Sequence, residues 1–278
     1  MSAKTIMLQG TMSHVGKTIL TAGLCRLFSE LGYRTAPFKA QNLSSKGTVL
    51  ADGSEIGTGQ AIQARAAGII PVAAMNPLLL KANMDGTLDV FLHGKKQSRD
   101  RADYYFFHRN ELMREILSDF NELREKYDII CIEGAGSPAE PNLQQRDIAN
   151  MGLAREIDAP VLLVGDIERG GVFASLYGTL MLLPETDRKL VKGLIINKFT
   201  GEEQYLQPAP RILEENTGLP VLGIIPYLSI CLEEEDVSFS RKTAKNSQDE
   251  DDCFRQISSA LRAHLKLEEI MNIIWNNK

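Results

Sequence analysis

Gly10-Thr11-Met12-Ser13-His14-Val15-Gly16-Lys17-Thr18 constrains this chain more than any other stretch. The apolar run Thr5-Ile6-Met7-Leu8 before it reads as a buried strand, and Ile19 to Phe28 after it has helical apolar spacing. Strand, glycine loop ending in Gly-Lys-Thr, and helix is the arrangement in which backbone N–H groups and a helix N-terminus converge on phosphate oxygens. The pattern therefore predicts a phosphate-binding loop. Gly10, Thr11, His14, Val15, Gly16 and Ile19 belong to its cradle. Lys17 is expected to reach the β- and γ-phosphates of ATP, and the Thr18 hydroxyl to hold Mg²⁺. Five residues separate Gly10 from Gly16, one more than the common form, so Thr11 stands where a glycine is usual.

Further along, Arg34 to Phe38 reads as a second strand that ends in Lys39-Ala40-Gln41-Asn42-Leu43-Ser44. Polar residues at the C-terminal end of a strand sit where ligands bind in open α/β sheets. Asp52 to Gln60 leads into a small-residue helix, Ala61 to Gly68, and Glu55 and Gln60 are the oxygen donors there. Asp89 to Leu92 reads as a strand, and Arg99 to Tyr127 as a long amphipathic helical region. The buried strand Asp128 to Ile132 delivers Glu133, placed as a second magnesium-binding carboxylate beside the phosphate loop. Asp147 to Asn150 reads as a helix start. Pro160 to Asp166 is another buried strand, followed by Glu168, Arg169 and a Gly-Gly pair. Val191 to Ile196 ends in Asn197-Lys198, where an Asn amide can both donate to and accept from a base. Pro220 to Tyr227 is the last strand. This alternation predicts an α/β fold with a mostly parallel sheet covered by helices on both faces. The motifs then share one edge.

Composition shifts after Tyr227, which suggests a nucleotide-binding domain over 1–230 and a tail over 231–278: an acidic and polar linker, then one helix from Cys253 to Trp275. With 278 residues and a net charge of −5, the chain carries no nucleic-acid footprint, and no apolar run approaches a membrane span. A secretory signal is not expected. Cys25, Cys131, Cys231 and Cys253 are scattered without a C-x-x-C pair, as expected of reduced thiols in a cytoplasmic protein.

Several motifs in order carry a resemblance: Lys39-Ala40-Gln41-Asn42, Glu55-Ile56-Gly57, Met75-Asn76-Pro77-Leu78-Leu79-Leu80-Lys81, Glu133-Gly134-Ala135-Gly136-Ser137, Gly165 to Ala174, and Asn197-Lys198-Phe199. Together they resemble the synthetase domain of the cobyric acid synthase family. The wider relatives are cobyrinic acid a,c-diamide synthase and dethiobiotin synthetase, whose long phosphate loop this one is similar to. The resemblance implies ATP-dependent amidation of corrinoid side-chain carboxylates through an acyl phosphate, with Mg²⁺. It implies that Lys39 lies across the γ-phosphate, that Gln41, Asn42, Ser44 and Arg169 hold the corrinoid, and that Asn197 meets adenine. Dethiobiotin synthetase takes a further magnesium ligand from an Asp early in the helix after the second strand. Asp52, Glu55 and Gln60 are the candidates here, and spacing does not choose among them. The family's C-terminal glutaminase domain has no counterpart up to Lys278, so ammonia is expected from solution, from a separate glutaminase subunit, or from the rest of a longer chain. Relatives imply a homodimer. Rival readings are an a,c-diamide synthase-like or dethiobiotin synthetase-like ligase, a non-catalytic nucleotide-binding subunit, and a partitioning-type switch ATPase. The last usually carries a lysine early in the loop, and Gly10 to Ser13 has none.

Overall fold

The structure is a computed structural model that describes residues 2–83, 85–100, 104–229 and 247–276. In chain order its first half comprises β1 (Lys4–Gly10), α1 (Lys17–Glu30), β2 (Thr35–Phe38), β3 (Gln41–Ser44), β4 (Thr48–Val49), β5 (Glu55–Ile56), α2 (Thr58–Ala66), β6 (Leu78–Ala82), β7 (Leu88–Leu92), β8 (Lys95–Asp100) and α3 (Tyr104–Lys126). The second half comprises β9 (Ile129–Glu133), α4 (Met151–Ile157), β10 (Val161–Asp166), α5 (Val172–Leu182), α6 (Glu185–Arg188), β11 (Val191–Phe199), α7 (Ala209–Thr217), β12 (Val221–Pro226), α8 (Ser247–His264) and α9 (Leu267–Asn276).

Six strands form one parallel sheet in the order β12-β11-β10-β1-β9-β2. Its central strands are almost continuously apolar because both faces are covered. Ile129 to Glu133 and Val161 to Asp166 are buried throughout. One face packs on α1, α8 and α9 through Leu20, Leu24, Phe28, Ile257, Leu261 and Ile270. The opposite face packs on α3, α4 and α5 through Ile116, Phe120, Leu153, Val172 and Leu176. The chain leaves β1 toward β2, returns through β9 and crosses to β10, so strand order reverses around β1. That is the switch point at which open α/β sheets bind ligands. Among the described residues no helix is long and apolar enough to cross a membrane.

Three features depart from the sequence pattern. A second sheet, β3-β6-β7-β8, lies beyond β2, with β3 and β6 parallel and the rest antiparallel. It includes Lys95–Asp100, where helix was expected from Arg99 onward. The C-terminal segment is two helices rather than one, because Leu265 bridges Gly223 and the Lys266 N–H donates to the Leu222 carbonyl (2.8 Å). The acidic residues Asp249 to Asp252 belong to α8 instead of a linker, while 230–246, with Cys231 and the Glu233 to Asp236 run, fall outside the described residues. Finally, Asp147 to Asn150 precedes the helix. The Asp147 carboxylate accepts from the N–H groups of Ala149 (2.9 Å), Asn150 (2.8 Å) and Gly152 (2.8 Å), capping α4.

Candidate active site

The loop after β1 wraps into the N-terminus of α1. Gly16 there has φ 94°, a left-handed conformation that suits glycine. A Cβ at Gly10 would stand 2.6 Å from Val15 Cγ2 and 2.9 Å from the Met12 carbonyl oxygen, so the loop can close over this position only with glycine. Lys17 Nζ donates to the carbonyls of Met12 (3.2 Å) and Gly136 (3.0 Å). Thr11 extends the β1 ladder through its N–H to the Val164 carbonyl (2.9 Å), and Val15 is fully buried, so both anchor the loop from behind. His14, Gly16, Lys17, Thr18 and Ile19 line a cleft of about 610 Å³ at the C-terminal edge of the sheet.

Glu133, at the end of β9, is the buried centre of this cleft. The Thr18 hydroxyl donates to its Oε1 (3.0 Å) and Lys39 Nζ to the same oxygen (2.9 Å). Gln63 Nε2 donates to Oε2 at 2.6 Å, and Gln60 Nε2 lies 3.4 Å from it. Burial pushes the Glu133 carboxyl up, but Lys39, Lys17 and Gln63 more than offset this and hold it below the usual glutamate range. It is therefore a carboxylate. Lys39 is placed by Asn76, whose amide donates to the Lys39 carbonyl (2.9 Å) while its oxygen accepts from the Gly57 N–H (2.8 Å).

Gln41 and Asn42 line the same cleft. The other expected positions lie elsewhere. Ser44 is buried outside it, its hydroxyl accepting from the Lys46 N–H (3.1 Å). Arg169 is exposed and lies 3.7 Å from Asp166, itself bonded to Lys198 (2.9 Å). Asp52 caps a turn through Ser54 and Glu55 pairs with Lys81 (2.7 Å), which leaves Gln60 as the one of the three proposed further ligands that touches Glu133. Asn197 stands behind the loop, donating to the Val15 carbonyl (2.7 Å), and is not on the cleft wall. An amide can serve a backbone carbonyl as readily as a base, and the sequence does not distinguish the two.

Sequence reading missed Gln63, Asn150 and the wall over 137–147. Asn150 accepts from the Ala135 N–H (3.0 Å) and donates to its carbonyl (2.6 Å), shaping the turn that receives Lys17. Two glutamines three residues apart in an alanine-rich helix were the available signal for Gln63.

The donor set suits a hard cation. Among the described residues no three His, Cys, Asp or Glu side chains cluster to hold a metal by themselves. The Thr18 and Glu133 oxygens would instead share Mg²⁺ with phosphates, as Mg²⁺ commonly binds.

A lysine-bearing glycine loop between the central strand and its helix, at the switch point of a parallel sheet, defines a P-loop nucleotide-binding α/β protein. The family model described as the CobQ/CobB/MinD/ParA nucleotide binding domain matches residues 6–236, and the chain belongs to that family. It is 49% identical to the cobyric acid synthase of Clostridium acetobutylicum over 243 residues, covering 87% of this chain and 50% of that protein. It is 49% identical over 250 residues to that of Lachnoclostridium phytofermentans, covering 87% and 49%. The cobyric acid synthase of Photorhabdus laumondii subsp. laumondii is 51% identical over 232 residues, with 84% and 45% covered. The chain thus spans about half the length of the curated relatives it matches.

Proposed function

We propose that this chain is the synthetase part of an amide-forming ligase of the cobyric acid synthase type. The observation that carries this reading is the meeting of Lys39 and Thr18 on one oxygen of Glu133, in the cleft that also holds Lys17. A carboxylate is a poor acyl donor because oxide is its leaving group. In the proposed reaction a substrate carboxylate oxygen attacks the γ-phosphorus of ATP, releasing ADP and forming an acyl phosphate. Ammonia then adds to the carbonyl carbon, phosphate leaves, and a proton is lost. Lys17 and Lys39 would hold the transferring group and balance its charge. Bound Mg²⁺, held by Thr18 and Glu133, would supply charge neutralisation at the β- and γ-phosphates. Gln60 is the candidate for a further oxygen contact.

The outer cleft supports a large, partly apolar, polycarboxylate substrate such as a corrinoid. Leu43 is 56% and Leu143 43% exposed on its walls, apolar surface that phosphates alone do not use. Gln41, Asn42 and Arg146 line the same cleft and can meet amide and carboxylate groups. Arg169 and Ser44 lie outside it, so a role for them needs a substrate that reaches past the cleft. Asn197 is retained for adenine only through the loop it fixes. Ammonia from solution or from a separate glutaminase, a homodimer, and a cytoplasmic location complete the reading.

The test is incubation of the chain with ATP, Mg²⁺, ammonium and cobyrinic acid a,c-diamide, followed by mass spectrometry of the corrinoid. Each amidation replaces OH by NH₂ and shifts the mass accordingly. Nucleotide binding with no corrinoid-dependent ADP release would instead indicate a non-catalytic subunit.

A further inference from the structure

Gln60 and Gln63 are three residues apart on α2, so both project from one face of that helix, and both are fully buried against Glu133. A carboxylate only accepts hydrogen bonds, so it fixes which end of the Gln63 amide faces it. Gln63 Nε2 donates to Glu133 Oε2 at 2.6 Å, a short charge-assisted bond, and lies 3.3 Å from the Thr18 carbonyl. The Gln63 oxygen then faces Gln60 Nε2 at 3.4 Å. The two carboxylate oxygens are thereby divided. Oε2 faces neutral amides carried on a packed helix, while Oε1 faces the Thr18 hydroxyl and Lys39. Neutral donors hold the group in place without cancelling its charge.

We propose that Gln63 is a positioning residue for metal binding. It locks Glu133 so that Oε1 is presented to the cleft, and by reaching the Thr18 backbone it sets the spacing between the two protein oxygens offered to a hard cation. The inference rests on the magnesium–nucleotide reading given above. Partners of this kind behind a metal ligand typically change metal affinity about 10–100-fold when removed.

The test compares the wild type with Gln63→Met, which keeps length but removes the amide, and Gln63→Asn, which keeps the amide but shortens it. Affinity for a non-hydrolysable ATP analogue is measured by calorimetry with Mg²⁺ and with EDTA. In the wild type Mg²⁺ raises affinity. In both variants that gain falls about 10–100-fold while the affinity in EDTA stays within about twofold. If the gain survives, or if affinity falls equally in EDTA, Gln63 is only a packing residue and the inference is overturned. If one variant does not fold, the other decides alone. A wild-type protein with no magnesium-dependent gain would instead overturn the underlying metal reading, and this inference with it.

Discussion

The Asn197 side chain donates to the Val15 carbonyl at 2.7 Å, and the same amide occupies the space that a Cβ on Gly16 would enter. The end of β11 therefore holds the phosphate loop from behind. Replacing Asn197 by Ala leaves a buried carbonyl without its donor, a cost of about 1–3 kcal/mol that falls on loop order. Nucleotide affinity is expected to drop about tenfold or more. Asn197→Asp, which turns the donor into an acceptor facing a carbonyl, is expected to be worse. Calorimetric titration with ATP checks both. Unchanged affinity in the alanine variant would show that the loop keeps its shape unaided.

Lys17→Ala removes the cation folded over the loop, which donates to the backbone carbonyls of Met12 and Gly136. The variant is expected to fold with a wild-type circular dichroism spectrum while phosphoryl transfer falls by about 10²–10³. Turnover near the wild-type level would remove Lys17 from the reaction.

Glu133→Gln is expected to raise the magnesium concentration needed for half-maximal rate more than it weakens nucleotide binding, because a neutral amide is a poorer ligand for a hard cation. It also has a pH signature. The folded-state pKa of Glu133 lies below its ordinary value, so its stabilising contribution is present above about pH 4.5 and is lost as pH falls through the lowered value. The wild type should lose stability on that acid limb more steeply than the variant. Parallel acid-unfolding curves would show that Glu133 is not the group responsible.

The main sheet was legible in the sequence because its strands are buried on both faces and so read as unbroken apolar runs. Glu133 and the loop lysine were legible because each ends or follows such a run. The second sheet was not. Its edge strand, Lys95-Lys96-Gln97-Ser98-Arg99-Asp100, is held at one side only and carries charges that pair across the hairpin, as Lys96 and Arg99 do with Asp89. A half-solvated strand of that kind has no apolar signature. Gln63 was hidden for the opposite reason. It lies in a small-residue helix that reads as packing, and only the approach of α2 to β9 gives its amide a partner. Ser44 and Lys39 come from one polar stretch, but the chain turns at Ala40 into β3, so Lys39 enters the cleft and Ser44 does not.

His93 makes a prediction away from the cleft. It forms the β7–β8 turn and meets Asp119 through Nδ1 (2.7 Å) and Glu115 through Nε2 (3.0 Å), both on α3. Burial pushes its pKa down, but these carboxylates more than offset that and raise it above the ordinary histidine value. A raised pKa means that the stabilisation is full below about pH 6.5 and is lost as pH climbs through the raised value. Thermal midpoints are expected to decline as pH rises above about 6.5, and His93→Gln should flatten that decline. An identical slope in the variant would place the titrating group elsewhere.

The last prediction concerns nitrogen. Glutamine hydrolysis needs a thiolate activated by a neighbouring base and an oxyanion hole for the tetrahedral intermediate. Cys25, Cys131 and Cys253 are all buried. Cys25 sits in α1 against Cys131, and burial pushes its thiol well above the usual range, with Cys131 and Glu133 adding to the rise. Cys253 follows Asp251 and Asp252 on α8 and faces the core. These are poor nucleophiles, and substrate cannot reach them. Cys231 lies outside the described residues and in the sequence precedes the acidic run Glu233 to Asp236. This chain is therefore expected to use ammonia and not glutamine. With ammonium as nitrogen source, the amidation rate should rise with pH as free ammonia replaces ammonium. With glutamine, the purified chain should release no glutamate. Glutamate release that disappears on replacing any one of the four cysteines would reveal a glutaminase site in this chain.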